Sequence, residues 1–207
     1  MAYFQFPVQI QTLSIQSAGI EVYYPYVVGM PNHKTEEYMN QTILNLVNVL
    51  QLEQLKMQTG TKLEMTGHYE IKTNERGILS LTLSNYAYSY PMAHGFTIVK
   101  SLTFNLNTGD AYTLAELFNP GSNYVEVLSE LIATQIMIRD LPLLNDFQHI
   151  QPNQDYYLAD KSIVIYFQLY EIAPYYVGFP MFPISGYELQ ALISDSSPIS
   201  ILSADIA

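Results

Sequence analysis

The chain has 207 residues, 49% of them hydrophobic and only 13% charged, enough to bury a sizeable core in one larger domain or two small interlocked ones. Its 19 Asp and Glu against 8 Lys and Arg leave a formal net charge of −11. That balance excludes a protein that binds nucleic acid by neutralising phosphates, or an anionic membrane surface through a basic patch. The absence of cysteine excludes a disulfide framework, a thiolate metal site and a cysteine nucleophile.

Residues 8–16 alternate loosely and lead through Ser17-Ala18-Gly19 into a second strand, 20–28, rich in Val, Ile and Tyr. The two read as a hairpin, with Pro25 marking an edge or bulge because it lacks the N–H a sheet interior needs. Asn32 is placed to cap a helix running to about Met57. Met39, Ile43, Leu46, Val47 and Leu50 recur at its 3.6-residue spacing. Residues 63–73 and 78–90 read as paired strands around Asn74-Glu75-Arg76-Gly77. Alternation puts Ser80, Thr82, Ser84, Tyr86, Tyr88 and Tyr90 on one face of the second strand and Leu79, Leu81 and Leu83 on the other.

A strand at 95–106 follows Pro91 and closes on Asn107-Thr108-Gly109-Asp110. Thr113 and Glu116 have capping-box spacing over a short helix. Beyond Asn119-Pro120-Gly121, Ser122 or Asn123 caps a second long helix that ends near Asp140. Its expected buried stripe is Val125, Leu128, Leu131 or Ile132, Gln135 and Ile138. After an irregular stretch at 142–152, a hairpin of 156–159 and 162–172 turns at Asp160-Lys161. Its second arm is apolar on both faces and is expected to be central. A proline-broken aromatic segment, a short helix at 186–193 and a Ser- and Asp-rich tail expected to fray complete the chain.

The order of strands, helix, strands, helix, strands implies an α+β fold: antiparallel sheets with two long helices packed on one face. A soft boundary at Lys62 would separate a small unit, 1–62, from a larger one, 63–207, the two interlocked. The N-terminal residues 1–11 lack a basic and an apolar signal region, and no stretch is long enough to span a bilayer. As written, the chain therefore reads as cytoplasmic, although a secreted chain shortened at its start would read the same way.

Chemistry-bearing residues are sparse. His33, His68, His94 and His149 lack the three- or four-residue spacing of a helical metal pair, so no metal or cofactor is expected. His94, in Tyr90-Pro91-Met92-Ala93-His94-Gly95, sits in a tight turn. It is expected to bond backbone; as a catalytic base it would need a carboxylate within reach. Glu171 lies in an apolar run that would raise the pKa of an unpartnered acid, but a hydrogen-bonded structural role is favoured. There is no Gly-x-Ser-x-Gly elbow and no phosphate-binding glycine loop. Asn40-Gln41-Thr42 matches a glycosylation sequon but falls inside a predicted helix, where it reads as chance.

Several pieces together carry a resemblance: Ala93-His94-Gly95, the run 101–109, Leu114-Ala115-Glu116-Leu117-Phe118, and above all Tyr166-Phe167-Gln168-Leu169-Tyr170-Glu171-Ile172-Ala173-Pro174-Tyr175 with Gly178. In these the chain resembles a domain-of-unknown-function family. It occurs in the extracellular part of RsiV-type anti-sigma factors and ahead of the catalytic domain of PdaC-type peptidoglycan deacetylases. Tyr24-Pro25 and the helix bearing Asn40 are similar to the smaller domain that precedes it. The resemblance implies an α+β fold, a place at the cell surface, and binding rather than catalysis. Its ligand would be a basic protein such as lysozyme or a peptidoglycan-related component. Anti-sigma activity is not implied, because no sigma-binding segment is present.

The expected function is a non-catalytic recognition module whose surface uses Tyr86, Tyr88, Tyr90, His94, Tyr170, Glu171, Tyr175 and Tyr176. The alternatives are a small hydrolase built on His94 and a carboxylate, and a soluble oligomer that pairs through a strand edge.

Overall fold

The computed structural model describes residues 7–204. The start of the leader reading and the last three residues of the tail lie outside that range. The chain divides into two compact units, Met1–Ala111 and Tyr112–Ala207.

The first unit is a five-stranded sheet, ordered β1(Gln9–Ser17), β2(Ile20–Val28), β3(Thr61–Glu75), β4(Ile78–Tyr90) and β5(Phe96–Asn105). All neighbours run antiparallel except β2 and β3, which pair in parallel over Ile20–Val22 alone. Pro25 lies beyond that short pairing, where a missing N–H costs β2 no bond to β3. The boundary expected at Lys62 falls within this sheet. Lys62 instead has φ 56° at a register shift in β3 between Thr61 and Leu63. The β3–β4 turn is tighter than the four residues expected, because Arg76 and Gly77 both take positive φ (52° and 78°), as a two-residue hairpin requires.

Helix α1(His33–Met57) packs on β2, β4 and β5. Asn32 Oδ1 accepts from Lys34 N at 3.1 Å and Thr35 N at 3.4 Å, the cap read from the sequence. Met39, Ile43, Val47 and Leu50 are buried against Leu79, Leu81, Leu83, Met65 and Phe104. Where β2 leaves β3, α1 supplies what a strand would have supplied. Buried Asn40 accepts from Val27 N at 2.7 Å and donates to Val27 O at 2.8 Å. Asn74 serves Val8 in the same way, at 2.9 and 2.8 Å.

The second unit holds a three-stranded antiparallel sheet, β6(Tyr156–Ala159), β7(Ser162–Tyr166) and β8(Met181–Ser185), with β7 central as expected. Helix α2(Tyr124–Ile138) lies against β8, where Gln135 Nε2 donates to Pro183 O and Arg139 to Met181 O, each at 2.8 Å. Five expectations change here. The strand foreseen to residue 172 stops at Tyr166, and the chain turns at Tyr170, whose φ is 65°. The proline-broken segment contains β8, whose Pro183 is exposed opposite Val164, where a proline is tolerated. The buried stripe of α2 is Leu128, Ser129, Ile132 and Ile136, while Ile138 is 74% exposed. The closing helix shrinks to a single turn, Gly186–Leu189, held by a Ser185–Glu188 capping box. The tail, rather than fraying, forms α3(Pro198–Ser203), which buries Ile199 and Leu202 while Ser197 Oγ donates to Leu117 O at 2.6 Å.

Candidate functional site

The eight candidate residues fall into two sets, one in each unit. In the first, alternation along β4 puts Tyr86 and Tyr90 outward, 40% and 62% exposed, with Tyr88 half-buried between them. Ser80 and Thr82, expected on the same outward face, are buried at the other end of the strand. Gly95 makes room for Tyr86. A methyl group at Gly95 would collide with the Tyr86 ring, so the glycine lets the ring approach the backbone closely. His94 is exposed in the turn beside it, its Nδ1 2.8 Å from Gly95 O. That contact makes His94 a backbone-bonding residue of the turn, the role favoured from its sequence context.

In the second unit, residues 168–178 form a stiff, aromatic excursion from the end of β7. Glu171 N donates to Gln168 O at 3.1 Å, closing a turn. The Glu171 carboxylate then folds back, accepting from Gln168 N at 2.6 Å and from Gln154 Nε2 at 3.0 Å. Both of its oxygens thus hold the turn. Gln154 is buried, and it also donates to Tyr166 O at 3.1 Å and accepts from Gln151 N at 3.2 Å. Gln168 Nε2 reaches Asp155 at 2.8 Å. Loop 151–155 is thus laced to the excursion by side chains on both.

Held this way, the turn presents Tyr170 against Tyr175, ring centroids 5.5 Å apart, and leaves Tyr176 78% exposed on the single-turn helix Tyr175–Val177. Gly178, at φ 78°, ends that turn in a conformation other residues resist. Tyr170, Glu171, Tyr175 and Tyr176 therefore come together, as do Tyr86, Tyr88, Tyr90 and His94.

Charge is not shared evenly. Residues 112–207 contain 11 Asp and Glu but only Arg139 and Lys161 as cations, a formal −9 of the chain's −11. Both cations are engaged. Arg139 donates to a carbonyl and lies 5.2 Å from the Phe182 ring centre; Lys161 bonds Tyr187 OH at 3.0 Å and lies over that ring. Asn123 at the start of α2 and Glu126, Ser129 and Glu130 within it, with Gln148 and His149, line an open cleft of about 500 Å³. Helical spacing sets Glu126 and Glu130 one turn apart, and Ser129 Oγ, accepting from Ile150 N at 3.0 Å, holds the loop against the helix. The sequence reading did not assemble this cleft, because Gln148 and His149 lie in an irregular stretch with no periodicity to place them. Among the described residues no three of His, Cys, Asp and Glu gather as a metal set, and no helix is long and apolar enough to cross a membrane.

Residues 115–186 match the family model described as a protein of unknown function, DUF3298. Over those residues, about a third of its length, the chain is similar to that family. The match contains the Tyr166–Tyr175 run on which the resemblance chiefly rested, and all four candidates of the second unit. The anti-sigma-V factor RsiV of Bacillus subtilis strain 168 is 27% identical over 182 residues, 81% of this chain and 62% of that protein. The chain thus spans less than two thirds of that relative's length. Two solved structures share the fold. A DUF3298 family member from Bacteroides fragilis NCTC 9343 aligns with a TM-score of 0.74 at 14% identity, covering 97% of this chain and 99% of that one. A DUF3298 family protein from Pseudomonas aeruginosa PAO1 aligns with a TM-score of 0.70 at 13% identity, with the same coverage.

Proposed function

We propose that this chain is a non-catalytic recognition module whose DUF3298 unit takes a basic protein at the cell surface. The observation that carries the reading is a coincidence within one unit. Nine of the eleven net negative charges lie in the stretch that also fixes Tyr170, Tyr175 and Tyr176 on a clamped turn. Exposed tyrosines supply rigid contact area at low entropic cost, and an acidic field speeds the approach of a cationic partner. The acid-lined cleft beside α2 adds a place for a basic side chain. Lysozyme, the ligand that the RsiV-type resemblance implies, is the first partner to try; RsiV, at 27% identity, is an anti-sigma factor by name.

The test is calorimetric titration of the chain with lysozyme at low and high salt. Binding should weaken by at least about tenfold as salt screens the charges. Tyr176→Ala should cost about 1–3 kcal/mol of affinity, as expected of an exposed aromatic anchor. Absence of any heat at low salt removes lysozyme as the ligand. Binding that neither salt nor Tyr176→Ala weakens removes the DUF3298 unit as the site.

A further inference from the structure

Strand β1 borders the sheet of the first unit, and every second residue along it turns its N–H and C=O away from β2. Proteins usually guard such a border with lysine, proline, a bulge or a covering element, because it templates pairing with another strand. The opposite border, β5, carries Lys100 at its middle. β1 reads QIQTLSIQS, with no charge, proline or glycine. Its register on β2 runs unbroken from Gln9 opposite Val28 to Ser17 opposite Ile20, so no bulge bends it away. Seven of its nine residues are exposed. Just ahead of the first residue of β1, Asn74 of β3 takes up the backbone N–H and C=O of Val8.

We propose that β1 is a self-association edge. Two copies pair β1 with β1 antiparallel, about a two-fold axis at Leu13, and join two five-stranded sheets into one. Charge selects a second copy over the basic partner proposed above. Between residues 7 and 32 the sole charged side chain is Glu21, so this border offers a cation nothing, yet lets two chains of −11 meet without opposed carboxylates. The two-fold at Leu13 is the register that pairs the whole strand. Gln9 faces Ser17, Ile10 faces Gln16, Gln11 faces Ile15, Thr12 faces Ser14, and Leu13 covers its own counterpart, which the single chain leaves 36% exposed.

The experiment is light scattering of the full chain over a hundredfold concentration range reaching ~100 µM, where mass action reveals a dimer. The expected mass is twice the 23.5 kDa of one chain. Leu13→Lys puts like charges face to face and should weaken the dimer at least about tenfold while leaving the circular dichroism unchanged. Because the chain has no cysteine, Leu13→Cys should form an intermolecular disulfide on mild oxidation. Gln9→Cys, which faces Ser17 across the axis, should cross-link far more slowly. A monomer throughout, a dimer indifferent to Leu13→Lys, or faster cross-linking through Gln9→Cys overturns the proposal.

Discussion

The two units solve one problem, how to satisfy the backbone, in different ways. In the first, strands of 9 to 15 residues satisfy one another largely by ladders, helped by side chains such as Asn40, Asn74 and Gln54, whose Nε2 donates to Asn85 O and Phe96 O. In the second, strands of 4 or 5 residues leave much of the chain irregular, and side chains close it instead. Gln154, Glu171, Ser129, Gln135, Arg139 and Ser197 each bond a backbone group. The units differ in charge as well. The first carries 8 acids and 6 bases, the ion pair Glu70–Lys72 among them; the second carries 11 acids and 2 bases. A loop held by buried amides is as fixed as a strand, yet its outward side chains are not bound to alternate. That freedom suits a surface of three neighbouring tyrosines.

The contrast can be broken most forcefully in the first unit. Leu81 is fully buried between α1 and the sheet, and Leu81→Ala should cost about 2–5 kcal/mol through lost transfer energy and the cavity left behind. Urea denaturation measures it; a loss below about 1 kcal/mol means that the sheet core is looser than described. The clamp of the second unit comes next. Gln154→Leu preserves volume but strands Gln151 N, Tyr166 O and a Glu171 oxygen, and should cost about 2–3 kcal/mol. Its decisive readout is proteolysis or amide exchange across 166–176. If protection there is unchanged, side-chain clamps are not what fixes the turn.

The smallest effect is electrostatic. Hydrogen bonds from the Thr113 backbone and hydroxyl, both 2.7 Å, hold the Glu116 carboxyl below its ordinary value of 4.5. A depressed carboxyl favours the native state fully above that value, and the gain is lost as pH falls through the lower native one. Wild type should therefore melt slightly above Glu116→Gln at pH 7, with the gap closing in acid below 4.5. A gap that widens in acid reverses the assignment.

The elements of the first unit were legible because their signals are periodic: β4 alternates, α1 repeats at 3.6 residues, and Asn32 and Gly77 punctuate. The outward placing of Tyr86 and Tyr90 follows from the same alternation. The second unit hid where periodicity and backbone part company. Phe167 and Leu169 continue the apolar run of β7 although the strand has ended, so pattern alone carries it to residue 172. Pro180 and Pro183 disguise β8, and a serine-rich stretch conceals α3, whose signal was Pro198 directly after Ser197. Gln154 was invisible for a different reason. Its partners lie up to 17 residues away, and no local rule links an amide to the backbone it serves.

Asn40 stands in a sequon, but its amide nitrogen is committed to Val27 and its side chain is buried beneath α1. A sugar could be attached there only while α1 is undocked, and once attached it would keep α1 from closing the edge of β2. In a secreting host that glycosylates Asn-x-Thr sites, sugar on Asn40 would thus act as a clock. Its mass signature would count the chains modified before this helix reached the sheet, and a folded chain should carry none.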